Sequence, residues 1–384
     1  MLAVAGAGKT TYLVSKLNEG ERFLIVTYTT NNVANLRRKI IQRFGYFPPN
    51  ITLLSYYAFL YHVCFLPFAK IDLKPKGIYW KQPDEKTLMI PRDKVPYYIT
   101  PEGRLYHNRI SQFCHKFYLT DIKQRIEKYF DHFYFDEAQD LAGHDFDFIH
   151  ALLPLNIETM LVGDFFQHTF DTSVDGNLHT SLYDDFKKYH KTWDNVTIDI
   201  TTLSKSYRCT KQVCDFVQNA IGIAIESLSP EESQVIVIDD AESANAILLN
   251  DQIVKLVFKE NYKYAFNAIN WGASKGMDDF EDICVVLYKT AHKHFQNHTL
   301  AQLSPSSRNK PYVACTRAHR HLYIMSDEYF MKLAIAEAKK SLKNGDVPVG
   351  AVIVKDGVVI AKAYNTREKT QLTTAHAEIN ALQK

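Results

Sequence analysis

The sequence predicts an α/β protein built from parallel sheets flanked by helices, followed by a smaller α/β segment. Three observations predict this fold class. A glycine-rich turn near the N-terminus joins an apolar segment to an amphipathic helix, residues 132–140 form a second apolar segment that ends in acidic side chains, and residues 325–384 combine a helical pattern with two apolar strands. With 384 residues and 46% apolar content, the chain is long enough for two or three domains.

Composition excludes several classes of protein. The 45 Lys and Arg residues nearly balance the 43 Asp and Glu residues, so a nucleic-acid-binding surface would have to come from local patches. No apolar run reaches the length of a membrane span and the N-terminus lacks the layout of a signal peptide, which predicts a cytoplasmic protein without a membrane partner. Six scattered cysteines without a C-x-x-C pair predict reduced, mostly buried thiols.

The first element is a candidate phosphate-binding loop in MLAVAGAGKTTYLVSKL. Gly6 and Gly8 allow backbone N–H groups to approach a triphosphate, Lys9 reaches its outer phosphates, and Thr10 offers a hydroxyl to Mg²⁺. Ala3 replaces the first glycine of the usual pattern, so the prediction depends on the order of strand, turn and helix. ATP and Mg²⁺ are the predicted cofactors. The predicted nucleotide-contacting residues in this segment are Gly6, Gly8, Lys9, Thr10 and Thr11.

A second element, HFYFDEAQD at residues 132–140, supplies the carboxylates that such a loop needs. The aromatic pattern from His132 to Phe135 predicts a buried strand. Asp136 would then hold Mg²⁺ through water, and Glu137 would activate the attacking water. A solvated strand end is the alternative interpretation of the acidic residues, but the preceding aromatic run favours a buried site.

Further motifs follow in order along the chain. They are TYTTNNVANLRRKI (27–40), LVGDFFQH (161–168), KSYRCTKQVCDFV (205–217), NWGASKGMDDFEDICVVL (270–287) and YVACTRAHRHLYI (312–324). Together with the glycine-rich loop and DEAQD, they resemble the motifs of UvrD/Rep-like superfamily-one helicases over residues 1–325. The resemblance implies two RecA-like lobes of the P-loop NTPase class, at residues 1–200 and 201–325. It also implies an ATP-dependent translocase on single-stranded or partly duplex DNA, with RNA as a possible substrate.

The resemblance implies roles for residues outside the phosphate loop. Arg208 and Arg317 would stabilise charge on the transferred phosphate, because arginine presents a fixed fork of donors. Gln139 and Gln167 would link the γ-phosphate to the DNA cleft, since amides both donate and accept hydrogen bonds. Tyr207 would stack on adenine, with a core position as the alternative.

DNA contacts are also implied by the resemblance, because single strands are bound by aromatic stacking and hydrogen bonds to the backbone. Phe170 has a core position as its alternative, and Gly276 in the S-K-G motif is assigned to the nucleotide. The candidate DNA-binding residues are Tyr28, Thr29, Asn31, Phe170, Ser274 and Lys275.

Residues 66–125 form an insert whose prolines, glycines and interleaved tyrosines predict short strands and turns of a small subdomain. Its Lys, Arg and Tyr residues fit either a nucleic-acid contact or a solvated surface. The chain begins one strand before the phosphate loop, without the upstream glutamine through which the family recognises adenine. Relaxed nucleotide selectivity and a lost N-terminal segment are the two alternatives.

The segment after Met325 has a different pattern. A helix with Asp327 as its N-cap is expected to end at Asn344-Gly345. Two apolar strands, VPVGAVIVKDG and VVIAKAYN, then form a hairpin at a D-G turn, and a helix is expected to start near Thr374. This order resembles the N-terminal half of TadA-like tRNA adenosine deaminases.

That second resemblance implies His376 as a zinc ligand, Glu378 as the general acid/base and Asn365 as a contact to the flipped base. No cysteine follows Cys315, so the zinc site is incomplete. Zn²⁺ is expected only if a partner chain completes this incomplete cytidine-deaminase-like half-domain at residues 326–384.

Three origins remain open for this segment: a truncated fusion, two neighbouring genes joined by a sequencing or assembly error, and a degenerate remnant. An artefactual or truncated fusion is favoured, and removal of the segment is expected to leave ATP hydrolysis intact. The main functional hypothesis is a DNA helicase. The alternatives are a translocase that remodels nucleoprotein without unwinding, a zinc-dependent nucleobase deaminase with an accessory ATPase, and a non-catalytic DNA-binding remnant.

Overall fold

The computed structural model describes residues 1–169, 178, 179, 181–194, 196–263, 266–277, 280–326, 329–355 and 358–384. It confirms a mixed α/β fold with parallel sheets. The chain divides into two units, residues 1–204 and 205–384, each with its own sheet. Within the described ranges, no helix combines the length and apolar character needed to cross a membrane. All six cysteines are free and buried, as predicted.

The core of the first unit is a parallel sheet in the order β2-β1-β5-β6. The strands of this unit are β1 (Phe23–Thr27), β2 (Ile51–Ser55), β3 (Ile78–Tyr79), β4 (Leu105–Tyr106), β5 (His132–Asp136) and β6 (Glu158–Val162). Every residue of β1 and β5 is buried, which confirms the predicted central strand at 132–135. Because the strands are parallel, Asp136 lies at the same edge of the sheet as the carboxyl ends of β1 and β6.

The predicted N-terminal strand is shorter than expected. Leu2 makes a single bridge to Gly163, and the amide of Ala3 donates to the Gly163 carbonyl at 2.8 Å. On the other side, the amide of Val4 donates to the Leu203 carbonyl at 3.0 Å. This segment therefore lies beside β6. Its hydrogen bonds to Gly163 and Leu203 fix the start of the glycine-rich turn at the edge of the sheet.

The helices of the first unit are α1 (Lys9–Ser15), α2 (Thr30–Phe44), α3 (Tyr56–Ala58), α4 (Leu66–Leu73), α5 (Ile110–Tyr129), α6 (Gly143–Leu152) and α7 (Phe186–Thr192). The prediction of strands and turns throughout residues 66–125 is wrong at both ends, where α4 and α5 occupy the chain. Apolar residues of α5 recur at helical spacing and are buried, but its many aromatic and β-branched residues are weak helix formers and obscured that pattern.

The core of the second unit is a parallel sheet in the order β11-β10-β12-β13-β9. The unit also contains two separate strand pairs, β7-β8 and β14-β15. The strands of the second unit are β7 (Lys205–Ser206), β8 (Glu226–Ser227), β9 (Val235–Ile238), β10 (Val254–Val257), β11 (Ala268–Asn270), β12 (Ile283–Leu287), β13 (Leu322–Ser326), β14 (Gly350–Lys355) and β15 (Val358–Tyr364). Its helices are α8 (Lys211–Phe216), α9 (Ala241–Leu249), α10 (Lys289–Gln296), α11 (Pro305–Cys315), α12 (Tyr329–Leu342), α13 (Arg367–Thr370) and α14 (Ala377–Leu382).

The C-terminal elements follow the predicted order of helix, hairpin and helix. Strands β14 and β15 pair antiparallel, while Asp327 and the two residues of the D-G turn lie outside the described residues. Helix α12 packs directly on β14, since a Cβ on Gly350 would lie 2.0 Å from the carbonyl oxygen of Ala334. The last helix begins at Ala377, later than predicted, so His376 immediately precedes it.

The C-terminal segment shares a hydrophobic core with the sheet of the second unit. Met325, the expected boundary, lies inside β13 and pairs with Val286 and Ile238. Side chains from α12, β14 and β15 pack with those of α9, β10 and β12 in one cluster. Its members include Leu333, Val352, Val359, Ala244, Leu248, Val257 and Val286. Removal of residues 326–384 would expose this cluster, so we expect it to destabilise the second unit. This replaces the expectation that the segment can be removed without an effect on ATP hydrolysis.

Leu333→Ala tests the shared core. Leu333 is 4% exposed, and its truncation should lower the free energy of unfolding by about 2–5 kcal/mol. Ile335→Ala, on the same helix at 50% exposure, is the matched control and should have a much smaller effect. Urea unfolding gives the free energies, and hydrogen exchange at β13 and α9 locates the change. Equal effects of the two variants would mean that α12 does not pack on the sheet.

Candidate functional site

Two carboxylates form the centre of the candidate site. Asp136 is the last residue of β5 and is buried, and the amide of Glu137 donates to its Oδ1 at 3.0 Å. Burial and the neighbouring Glu137 raise the pKa of Asp136 to about 7, while the charge of Lys9 opposes this rise. A carboxylate whose charge is disfavoured in this way is stabilised by a cation, so the pair fits a bound Mg²⁺.

Glu137 has an unusual backbone conformation. Its φ is 58°, in the left-handed region that non-glycine residues rarely adopt, at a cost of about 1–3 kcal/mol. Its side chain accepts a hydrogen bond from Gln139 Nε2 at 2.6 Å. The strain and this hydrogen bond together fix the direction of the Glu137 carboxylate next to Asp136.

A chain of hydrogen bonds leads from Glu137 to the loop after β6. The Oε1 atom of Gln139 accepts from the amide of Asp164 at 2.9 Å, and Asp164 Oδ2 accepts from Gln167 Nε2 at 2.8 Å. A Cβ on Gly163 would lie 2.7 Å from Gln139 Oε1, so only glycine leaves room for this arrangement. The structure thus brings Gln139 and Gln167 together through Asp164, a residue that the sequence analysis did not select.

The two glycines of the predicted phosphate loop have left-handed backbone conformations. Gly6 and Gly8 have φ values of 70° and 79°, a region in which glycine is unstrained, and Gly8 immediately precedes α1. Lys9 and Thr10 lie in the first turn of that helix. Thr11 lines a cleft of about 370 Å³ between α1 and α2, where the Nζ atom of Lys39 lies 3.4 Å from its hydroxyl.

The candidate DNA contacts of the first unit differ in exposure. Tyr28 is half-buried, and its ring stacks on Tyr56 with centroids 5.8 Å apart. The hydroxyl of Thr29 caps α2 by accepting from the Asn32 amide at 3.1 Å. Asn31 is exposed, and Phe170 lies outside the described residues. Asn31 is therefore the most accessible of the described candidates in this segment.

In the second unit, the two candidate arginines come close together. The Nη1 atom of Arg208 donates to the carbonyl of Thr316 at 3.1 Å, next to Arg317 in the chain. Arg317 is buried, and its guanidinium donates to the carbonyls of Val313 and Met277 at 3.2 and 3.3 Å. Tyr207 is exposed, so its alternative as a core residue is wrong.

The S-K-G segment forms a turn. Ser274 is fully buried, and its hydroxyl donates to the Trp271 carbonyl at 2.7 Å. Gly276 has a φ of 79°, while Lys275 is partly exposed. This geometry favours Lys275 over Ser274 as the residue that reaches a ligand.

The deaminase-like residues do not form a metal site. Asn365 is buried and donates to the Val347 carbonyl at 3.3 Å, whereas His376 and Glu378 are exposed at the start of α14. In the part of the chain that the structure describes, no three His, Cys, Asp or Glu side chains are grouped to hold a metal ion. One imidazole does not fit zinc, which needs three protein ligands and a water.

The C-terminal segment is similar in sequence to known deaminases. Residues 324–384 match the family model of the cytidine and deoxycytidylate deaminase zinc-binding region. The tRNA-specific adenosine deaminase of Aquifex aeolicus is 52% identical over 58 residues, which are 15% of this chain and 38% of that protein. The Bacillus subtilis enzyme of the same name is 55% identical over 53 residues, 14% of this chain and 33% of that protein. The predicted resemblance of this segment to zinc deaminases is confirmed.

The chain spans about a third of the length of these curated relatives. Among solved structures, an arterivirus nonstructural protein 10 (helicase) in complex with DNA aligns with a TM-score of 0.44 and 14% identity, over 84% of this chain and 59% of that one. The arterivirus helicase without DNA aligns with a TM-score of 0.43 and 15% identity, over 85% and 59% of the two chains. With scores below 0.5, these likenesses carry no argument about function.

Asp136→Asn should change how stability depends on pH. The folded-state pKa of about 7 exceeds the ordinary value of 3.8, so the stabilisation from the bound proton is complete below about pH 4 and is lost as pH rises through 7. Asparagine stays neutral, and at pH 8 without metal the variant should be more stable than the wild type by on the order of 4 kcal/mol.

Urea unfolding in EDTA at pH 5 and pH 8 measures the difference. Asp131→Asn is the control of opposite sign, because Arg22 lowers the pKa of that exposed carboxylate. An unchanged pH profile in Asp136→Asn would show that Asp136 is ionised freely in the folded protein.

The chain alone is expected to bind no stoichiometric zinc and to deaminate neither adenosine nor cytidine. Elemental analysis of metal-loaded protein and deamination assays on tRNA and single-stranded DNA measure this, with His376→Ala as the control that should change nothing. One tightly bound zinc per chain that is lost in His376→Ala would contradict the expectation and indicate that a second chain supplies ligands.

Proposed function

We propose that this chain is an ATP- and Mg²⁺-dependent translocase on single-stranded DNA that acts as a DNA helicase. The observation that carries the proposal is the buried pair Asp136 and Glu137, which lies near the charge of Lys9 and is joined through Gln139 to Asp164. A buried, strained acidic pair at the carboxyl edge of a parallel sheet is typical of a site that handles phosphate and metal.

The residues of the first unit have distinct tasks in this proposal. Lys9 binds the outer phosphates by its charge, while Thr10 and Asp136 hold Mg²⁺. When bound, Mg²⁺ neutralises the charge that develops on the transferred phosphate. Glu137 orients the attacking water and accepts its proton, and Gln139 keeps the Glu137 carboxylate in position through the hydrogen bond at 2.6 Å.

The resemblance to superfamily-one helicases also implies roles in ATP turnover for residues of the second unit. Arg208 and Arg317 would add positive charge at the γ-phosphate, and the exposed Tyr207 would stack on adenine. Gly276 allows the tight turn beside Lys275.

The hydrogen-bond chain suggests how hydrolysis reaches the DNA. Gln139 contacts both Glu137 and the loop that contains Asp164 and Gln167. Loss of the γ-phosphate would change the partners of Glu137 and thereby shift this loop. Asn31 and Lys275 are the accessible candidates for strand contact in the two units.

A second candidate function is nucleobase deamination by an assembly that includes residues 324–384. The similarity of this segment to tRNA adenosine deaminases favours it. Because the described residues do not provide a zinc site, this activity would require ligands from another chain. Reconstitution with a protein that carries the missing cysteines would test it.

Lys9→Ala and Glu137→Gln should both abolish ATP turnover, but for different reasons. Lys9→Ala removes the charge that binds the phosphates, so nucleotide binding should fail as well. Glu137→Gln removes the base and should lower turnover by roughly 10²–10⁴-fold while nucleotide binding persists. Steady-state ATPase assays with and without a single-stranded oligonucleotide, together with fluorescent-nucleotide binding, separate the two cases.

Glu242→Gln, at an exposed position in the second unit, is the control and should retain wild-type turnover. Near-normal turnover in Glu137→Gln would remove Glu137 from the mechanism. A wild-type protein without oligonucleotide-stimulated ATPase would contradict the translocase proposal as a whole. Displacement of a labelled strand from a partly duplex substrate distinguishes a helicase from a translocase that only remodels nucleoprotein.

A further inference from the structure

A cluster of three aromatic rings lies where the insert meets α3. The ring of Tyr57 meets the edge of Trp80 with centroids 4.9 Å apart, and Trp80 stacks on His107 at 5.9 Å. Tyr57 and His107 lie 6.2 Å apart and close the cluster, which is called the aromatic triad below. Trp80 is 61% exposed, so its ring is open to a ligand.

The triad continues a row of rings that starts at the candidate strand-binding motif. Tyr57 lies 6.1 Å from Tyr28, which in turn stacks on the buried Tyr56. Burial and the charge of Asp145 raise the pKa of Tyr57 to about 12, so its phenol remains neutral at physiological pH. The row therefore runs from the end of β1 to an exposed tryptophan without a negative charge on its rings.

The surroundings of Trp80 hold it in place. Strands β3 and β4 pair with each other, and Trp80 and His107 directly follow them in the chain. The Nδ1 atom of His107 lies 3.2 Å from the Tyr79 carbonyl oxygen. The next residue, Asn108, donates to Gln82 Oε1 at 3.1 Å. The buried Arg109 donates to the Tyr97 carbonyl at 2.6 Å. An exposed aromatic ring that is held in this way is preorganised for binding, because little freedom is lost when a ligand stacks on it.

The exposed charges on these two segments are of both signs, since Asp84 and Glu102 are exposed beside three basic residues. Lys81 follows Trp80, and Arg104 precedes β4. Lys76 is exposed on the opposite segment, and its amide donates to the Gly103 carbonyl at 2.8 Å. Exposed cations beside stacked aromatic rings match a single strand of nucleic acid, whose phosphates and bases need both kinds of contact.

We propose that the aromatic triad is a base-stacking platform for single-stranded nucleic acid, with Trp80 as the residue that touches the base. This inference rests on the proposed translocase function and deepens it, because it extends the strand path from Tyr28 into the insert. It also reassigns the main stacking role: Tyr28 is half-buried between other rings, whereas Trp80 is exposed.

Tryptophan fluorescence reads this contact directly. The chain has three tryptophans, and the other two, Trp193 and Trp271, are only 6% and 1% exposed. A base that stacks on Trp80 should quench its emission, so a thymidine oligonucleotide of about 16 nucleotides is titrated into the full chain. An abasic oligomer with the same phosphates is titrated in parallel to measure the electrostatic part alone.

Trp80→Ala should weaken binding of the thymidine oligonucleotide by roughly 5- to 140-fold, because base stacking on an aromatic ring contributes about 1–3 kcal/mol. Binding of the abasic oligomer should stay the same, and Trp80→Phe should restore most of the affinity. Fluorescence anisotropy of labelled oligomers gives these affinities in variants without Trp80. Tyr262→Ala, at an exposed aromatic position in the second unit, is the matched control and should have no effect.

Each outcome decides the proposal. An equal loss of affinity for both oligomers in Trp80→Ala, or no loss of affinity, would overturn the proposal. Self-association of the protein in sedimentation that Trp80→Ala abolishes would also overturn it, because the triad would then be a protein contact. Base-dependent quenching without oligonucleotide-stimulated ATPase would support the platform and contradict the translocase. Stimulated ATPase that is unchanged in Trp80→Ala, together with unchanged affinity, would support the translocase and contradict the platform.

Discussion

The burial of two carboxylates at the end of β5 is the constraint on which the first unit depends. Asp136 and Glu137 are both buried, and burial together with the neighbouring Glu137 raises the pKa of Asp136 to about 7. Lys9 opposes the rise from the phosphate loop, and Gln139 donates to Glu137. In the proposed function, Mg²⁺ with a nucleotide would bring further positive charge to this buried pair.

The same constraint accounts for the neighbouring loop. A buried amide must have both its donor and its acceptor satisfied, and Gln139 uses them on Glu137 and on the Asp164 amide. Glycine at position 163 is required because Gln139 occupies the space of a side chain there. The carboxylate, the amide and the loop therefore cannot move independently. In the proposed function, this rigidity would let the hydrogen-bond chain transmit a change at the nucleotide to the loop after β6.

Much of the fold follows from local pattern. The glycine-rich turn, the buried strand at 132–135 and the C-terminal order of helix, hairpin and helix are short-range features, and each has the predicted type. The prediction of strands and turns for the insert is wrong at α5, because this helix is rich in aromatic residues whose helical spacing is easily missed. A domain boundary is predicted at Met325 because the sequence motifs change there, but β13 continues through this residue. Strand pairing with Val286 and Ile238 depends on residues far away in the sequence.

The sequence by itself determined which chemical groups are present and in what order: a phosphate loop, an acidic strand end, two arginines and a histidine with a glutamate two residues later. Only the tertiary structure decided which of them are accessible and which meet. It buries Ser274 and Arg317, exposes Trp80, and places Arg208 beside Thr316. It also joins Leu333 to the core of the second unit. The reason is that residue chemistry and spacing are local properties, whereas exposure and contact depend on packing between distant segments, which no short motif records.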